Sequence, residues 1–373
     1  MTDTTQTRQY EPGTHPSLPP PISARGPVLW VREHLLGSPL NIFLTVLSLY
    51  LLYLIVPGAL NWAIFDAVFS AGSRDECREL GSGACWALIN TRFGQFIYGF
   101  YPEHLRWRID LTAVLFLLAL VPILWDKTPQ RGKWLIYSAI FPVIAFFLIV
   151  GGLGFERVET TKIGGFALNF IIGVTGIAAS LPMGILLALG RRSHMPIVRT
   201  LCVMFIEFIR GVPLITLLFI ASTMLNYFLP PGTTFDLILR VLIMVTIFSA
   251  AYIAEVVRGG LQAIPKGQIE AADAMGLRYW QSMRLVVLPQ ALKISIPGIV
   301  NTFVGLFKDT TLVVIIGLTD VLGVGRASLS DAKWQGLAWE VYVFIAILFF
   351  ICCFSMARYS IYLEKKLHTG HKR

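Results

Sequence analysis

Long apolar runs alternate with short polar connections along this chain, and the runs fall at about 40–62, 111–125, 134–152, 163–190, 197–224, 237–255, 289–307 and 338–361. About 20 residues of helix cross a hydrocarbon core, and a segment in lipid must satisfy its own backbone groups. The pattern therefore predicts about eight transmembrane helices in an all-α integral membrane fold, with the run at 111–125 the shortest. Residues 1–26 are rich in Thr and Pro, have no apolar core of the signal-peptide kind and predict a mobile tail. Residues 28–36 mix apolar positions with Arg32 and Glu33, which suits a short helix lying in the membrane interface.

Composition agrees with lipid as the solvent: 55% of residues are hydrophobic, 14% are charged and the mean hydropathy is +0.68. The formal charge is +9, but the basic residues sit in short loops instead of forming one patch, so orientation explains them better than nucleic acid. Lys127, Arg131 and Lys133 mark one loop; Arg191, Arg192 and Arg199 a second; Arg258, Lys266, Arg278, Arg284 and Lys293 a third; and Arg358, Lys365, Lys366, Lys372 and Arg373 the C-terminal end. The positive-inside rule places these on the cytoplasmic side, and an even number of spans returns both termini there. The connection 227–236, without Lys or Arg, lies opposite.

The long external loop, about 63–110, holds Cys77 and Cys85 with Gly81 and Gly83 between them. In an oxidising compartment a disulfide fits this spacing, and two free thiols fit it equally. Cys202, Cys352 and Cys353 fall inside apolar runs, where a small buried thiol is the plain reading.

Between the sixth and seventh runs lies a cytoplasmic stretch too regular for a tether. After Pro265, Ile269, Ala272, Met275 and Gly276 recur at helical spacing, and Lys266 and Glu270 stand four apart, where they can pair. Gly276 permits a sharp turn. Leu277 follows it, and Tyr279, Trp280 and Met283 then offer large side chains that want a partner. Leu288 and Pro289 open the next span, since Pro at a first helical position loses only a hydrogen bond that was unsatisfied anyway.

Charges inside spans are expensive and mark function or pairing. Glu207 and Arg210, three apart, and Asp236 and Arg240, four apart, suit either mutual neutralisation or ligand contact. Glu255 lies near the cytoplasmic end and suits bracing of the cytoplasmic stretch. Lys308-Asp309-Thr310-Thr311 interrupts an apolar run near the external side with a charge of each sign beside two hydroxyls, as a zwitterion requires, and Asn301 stands one to two turns earlier on the same path.

Glu270-Ala271-Ala272, Gly276 four positions on, and then Val286, Leu288 and Pro289 resemble the EAA loop of bacterial ATP-binding-cassette importers. Glu207-Phe208-Ile209-Arg210-Gly211-Val212-Pro213-Leu214, Ala251-Tyr252-Ile253-Ala254-Glu255 and Lys308-Asp309-Thr310-Thr311-Leu312 resemble the polar amino-acid permeases of that family, over roughly 163–361. Val212 and Phe166-Ala167-Leu168-Asn169 depart from that branch's usual pattern, which leaves pocket preference open. The extra N-terminal spans and the Cys-bearing loop resemble the long permease subunit of general L-amino-acid importers.

The resemblance implies a five-helix type I permease core at 163–361 with its coupling loop at 256–289, three accessory spans at 39–162, and cytoplasmic ends at 1–38 and 362–373. It implies a coupling role for Glu270, Ala271, Ala272, Gly276, Leu277, Tyr279, Trp280, Leu288 and Pro289. Asp309 is implied to attract the substrate α-ammonium, with Thr310 and Thr311 as hydrogen-bond partners and Lys308, Asn301, Arg210 and Glu207 along the path. A homologous permease subunit, two ATPase subunits, a periplasmic solute-binding protein and an L-amino acid are the implied partners, in the bacterial inner membrane. ATP and Mg are implied on the ATPase, with no cofactor in this chain.

No GxxxxGK[ST] phosphate loop, HExxH or GxSxG stands in the sequence. An ion-driven secondary transporter calls for paired inverted repeats with broken helices in both halves, and the first three spans do not resemble the last five. A membrane enzyme needs a cluster of His, Asp or Cys at an interface, whereas the six His are scattered.

Overall fold

A computed structural model describes residues 26–125, 127–224, 227, 230 and 235–367. The expected N-terminal tail, most of the 227–236 connection, and Lys372 and Arg373 lie outside the described residues. Apart from isolated bridges, regular structure among the described residues is helical. Among the described residues seven helices are long and apolar enough to cross a membrane, or eight if one bent pair counts as a span.

The described residues form two compact units, one of 26–68 with 81–84 and the other of 69–80 with 85–367. In the first, α1 (Gly26–Trp30) continues through a wide π turn over Val31–Leu35. The span α2 (Pro39–Leu60) opens with Pro39 in its first turn and Ser38 as cap, the hydroxyl accepting from the Asn41 amide at 3.1 Å. Beyond it, Ala84 donates to Trp62 O at 2.7 Å and Gly83 to Asp66 O at 3.0 Å. A Cβ on Gly83 would lie 2.5 Å from that Asp66 carbonyl, so the approach requires glycine.

The second unit starts with a cap of α3 (Arg74–Leu80) and α4 (Ala87–Tyr98). Cys77 and Cys85 are joined by a disulfide with Cα atoms 5.9 Å apart. The cap is fixed from the other end of the sequence: Arg92 pairs with Asp331, the Cys85 amide donates to Glu340 Oε1 at 3.2 Å, and the Arg74 amide donates to Lys333 O at 2.9 Å. The spans α5 (Arg106–Leu124) and α6 (Arg131–Val150) form a hairpin in which Tyr137 and Ser138 donate to the Leu115 and Ala119 carbonyls. With its leading turn at Glu103–Leu105, α5 starts well before the apolar run that predicts it.

The bundle centre is α7 (Gly165–Arg191), α10 (Leu237–Gln262) and α13 (Leu288–Asp309), with α10 against both neighbours. Small residues set the spacing, since a Cβ on Gly184 would come 2.6 Å from Ile253 and one on Gly260 2.1 Å from the Ser295 hydroxyl. The last span, α15 (Ala338–Leu367), lies on α13, where the Phe307 and Phe349 rings stand 5.3 Å apart. Between them runs a tight 3-10 stretch, Thr310–Ile316, and then α14 (Val321–Leu329).

One run departs from expectation. Residues 197–224 read as a single span, yet the chain forms α8 (Pro196–Gly211) and α9 (Leu214–Phe219, continued to Met224), which meet at 101°. Pro213 supplies no amide hydrogen and drives its predecessor out of helical geometry, and Val212 sits at φ −108°, ψ 132°. Hydropathy runs straight across this break, and so conceals it. On α8, Ile206 and Ile209 are buried while Ile197, Leu201, Met204 and Phe208 are exposed.

Candidate coupling and translocation sites

The stretch between α10 and α13 folds into two short helices set on the ends of α7, α10 and α13. Its first, α11 (Lys266–Ala274), follows Pro265 in extended geometry. It ends where the Gly276 amide donates to Asp273 O at 2.9 Å and the Leu277 amide to Ala272 O at 3.1 Å. Those two bonds with Gly276 at φ +73° make a Schellman stop, which satisfies the last carbonyls. The second helix, α12 (Tyr279–Ser282), has Gln281 Oε1 accepting from the Arg278 amide at 2.9 Å, and a π turn over Met283–Val287 leads into Leu288 and Pro289 of α13.

One face of this element is buried and the other is not. Ala272 is buried, Met283 and Val287 pack in one cluster with Ile264, Leu261 and Ala188, and Leu277 and Leu288 are half-buried. Glu270, Ala271, Tyr279 and Pro289 are exposed, as are Met275 at 81% and Trp280 at 66%. Lys266 and Glu270 form no ion pair among the described residues. Gln268 Oε1 instead accepts from Gln290 Nε2 at 3.2 Å, which ties α11 to the start of α13.

Glu207 and Arg210 do pair, at 4.0 Å, but within a larger cluster. Arg191 at the end of α7 reaches Glu207 at 2.8 Å and Glu255 at 3.3 Å; Arg210 stands 3.8 Å from Glu255; and Arg258 closes on Glu255 from one turn further along α10. The Arg210 guanidinium also lies over the Tyr252 ring. Arg191 and Arg258 read as loop charges in the sequence, and no local spacing links Arg191 to Glu207. The cluster joins α7, α8 and α10 at the end nearest the 266–287 segment, so Glu255 acts with α7 and α8 as well as with its own helix.

Asp236 and Arg240 do not neutralise one another. The Asp236 carboxylate caps α10, accepting from the Ile238 amide at 2.9 Å, and takes a hydrogen bond from Thr160. Arg240, only 8% exposed, donates to Phe235 O at 2.8 Å, Ser222 O at 2.9 Å and Ala221 O at 3.4 Å. It thereby satisfies carbonyls that the short α9 limb leaves open.

At the far end of α13 the four polar residues divide. Asp309 is half-buried, and its carboxylate has no hydrogen-bond or ion-pair partner among the described residues; Lys308 is exposed beside it. Thr311, half-buried, donates to Lys308 O at 3.0 Å. Thr310 is 0% exposed and donates to Phe307 O at 2.7 Å, while Asn169 Nδ2 donates to its oxygen at 3.1 Å. Its hydroxyl is spent on the frame. Asn301 is exposed on α13, and no hydrogen bond or ion pair among the described residues links Glu207 or Arg210 to 308–311.

Residues 180–369 match the model of the family described as the binding-protein-dependent transport system inner membrane component. The chain belongs to that family. It is 50% identical over 359 residues, 96% of its own length and 97% of the other's, to the inner membrane amino-acid ABC transporter permease protein YhdY of Escherichia coli strain K12. It is 46% identical to the glutamate/glutamine/aspartate/asparagine transport system permease protein BztC of Rhodobacter capsulatus, over 95% of this chain and 96% of that one. A crystal structure of an amino acid ABC transporter with histidines is similar over 54% of this chain and 92% of that chain, at 27% identity and TM-score 0.49.

The family match covers most of the stretch that resembles importers in sequence, and the two long relatives extend the similarity through the N-terminal spans. A permease of this family is a transport component and not an enzyme, and it works with other components of an ABC transporter in the inner membrane. The ion-coupled alternative finds no support.

Proposed function

We infer that this chain is the permease subunit of an ATP-binding-cassette importer that carries L-amino acids inward from a periplasmic binding protein. The observation that carries the reading is the segment 266–280, which presents Glu270, Ala271, Met275 and Trp280 on a face that the rest of the chain leaves uncovered. Exposed apolar side chains on a hydrogen-bonded, rigidly terminated helix suit a protein partner. That partner is one of two ATPase subunits, which bind the ATP and Mg. The basic loops put this face and both termini in the cytoplasm. Closure of the ATPases moves the buried face of the segment, and with it the ends of α7, α10 and α13, as one lever.

The substrate path runs along α13. Asp309 lacks a partner of its own and attracts the substrate α-ammonium, with Lys308, Thr311 and Asn301 beside it. Thr310 belongs to the frame and leaves that ligand set. Glu207 and Arg210 are committed mainly to the α7–α8–α10 cluster. A second, homologous permease subunit completes the path.

The test is reconstitution of the chain with its partner permease, ATPase and binding protein in liposomes. ATP-dependent uptake of amino acids, impaired but still measurable in Asp309→Asn with the complex intact, is the expected result. Uptake that persists without the ATPase overturns the importer, and normal uptake by Asp309→Asn removes that residue from the path.

A further inference from the structure

Asn169 is completely buried in the second turn of α7, and its side-chain amide is fully used. Nδ2 donates to Thr310 Oγ1 at 3.1 Å and to Asp320 Oδ2 at 3.0 Å, while Oδ1 accepts from the Val321 amide at 3.0 Å. The reverse orientation would set an NH2 against the Val321 N–H, so the partners fix the amide. Asp320 in turn caps α14, Oδ1 accepting from the Gly323 amide at 2.9 Å. One amide thus holds both ends of the 310–320 segment.

The hold is reinforced nearby. The Gly165 amide donates to Thr319 O at 2.9 Å, and a Cβ on Gly173 would lie 2.7 Å from the Phe307 ring. Asp309, the last residue of α13, therefore stands between two fixed neighbours, Phe307 packed on α7 and Thr310 bonded to Asn169, while its own carboxylate is free of partners among the described residues. A charged group gains most from a ligand when its orientation is set beforehand by the packing and hydrogen bonds behind it.

We propose that Asn169 is a positioning residue for transport: through Thr310 it fixes where α13 ends and so aims the Asp309 carboxylate at the passing ammonium group. The proposal rests on Asp309 lying in the substrate path. Asn169 never meets the substrate, because the amide and both its side-chain partners, Thr310 and Asp320, are enclosed.

The test is a double-mutant cycle in the reconstituted complex, reading amino-acid uptake per ATP hydrolysed. Asn169→Ala and Thr310→Val are each made alone and on top of Asp309→Asn, with Thr310→Ser as the conservative partner. Each single change is expected to lower uptake per ATP about tenfold while the subunits still copurify, and Thr310→Ser to recover most of it. On the Asp309→Asn background neither change is expected to lower it further. A full additional tenfold loss there overturns the positioning role, even where Asp309→Asn alone is impaired. If Asn169→Ala does not assemble, Thr310→Val, which spares the Asn169–Asp320 bond, decides. Normal uptake by Asp309→Asn would instead strike the substrate reading itself.

Discussion

Arg191, the last residue of α7, sits 2.8 Å from Glu207, about one turn before the end of α8, and both belong to a cluster of three arginines and two glutamates. Glu255 is its hub, touching Arg191, Arg210 and Arg258. Glu255→Gln leaves Arg258 without its carboxylate and Arg191 and Arg210 sharing Glu207. Its side chain is 23% exposed, so the loss falls below that of a fully buried pair, at about 2 kcal/mol. The thermal unfolding midpoint of the purified complex is expected to fall, and a midpoint equal to wild type would show the cluster to be energetically idle.

Arg240 gives a second prediction. It donates to three backbone carbonyls, two of them in the turn that ends the α9 limb. Arg240→Met keeps the length of the side chain but not its donors, leaving partly buried carbonyls unpaired at roughly 1–2 kcal/mol. Loss of stability with Arg240→Met and partial retention with Arg240→Lys is the expected order. Had Asp236 been its partner, Asp236→Asn would match the Arg240→Met loss; the structure predicts a smaller cap effect, because the Asn side chain still accepts from the Ile238 amide.

What the sequence made legible follows from how far each signal reaches. Spans show because lipid demands about 20 apolar residues in a row, and the 266–280 element shows because helix spacing and a turn glycine are local. The bend before Pro213 was visible only as a Val-Pro step inside an apolar run, and hydropathy averages over it. Asn169 and Asp320 stand 151 positions apart and Arg191 and Glu207 sixteen, so no periodicity brings them together. Thr310 looked like a ligand because its hydroxyl is polar in an apolar setting; the structure spends that hydroxyl on Phe307 and Asn169.

At Gly276 the cost of substitution is conformational. Nothing lies within 4 Å of a Cβ built there, but φ is +73°. A β-branched side chain pays about 1–2 kcal/mol in that region, whereas Asn tolerates it. Gly276→Val is therefore expected to weaken binding-protein-stimulated ATP hydrolysis and uptake together, and Gly276→Asn to keep most of both. Equal activities in the two variants would argue that this turn does not set the angle between α11 and α12.

The Cys77–Cys85 bond closes a short loop, with a sequence separation of 8. Chain-entropy arguments put the stabilisation from such a closure at roughly 2.5 kcal/mol, confined to the cap of α3 and α4. Cys202, Cys352 and Cys353 are unbonded, so thiol labelling of the denatured, unreduced protein is expected to mark three sites, and five after reduction. Paired Cys77→Ser and Cys85→Ser changes are expected to expose the cap to proteolysis between α3 and α4 while the spans stay protected. The Arg92–Asp331 pair and the bond from the Cys85 amide to Glu340 remain in that variant and limit how far the cap can open. Five labelled sites without reductant would show that the two sulfurs are free, and the cap would then owe its order to those polar contacts and its packing alone.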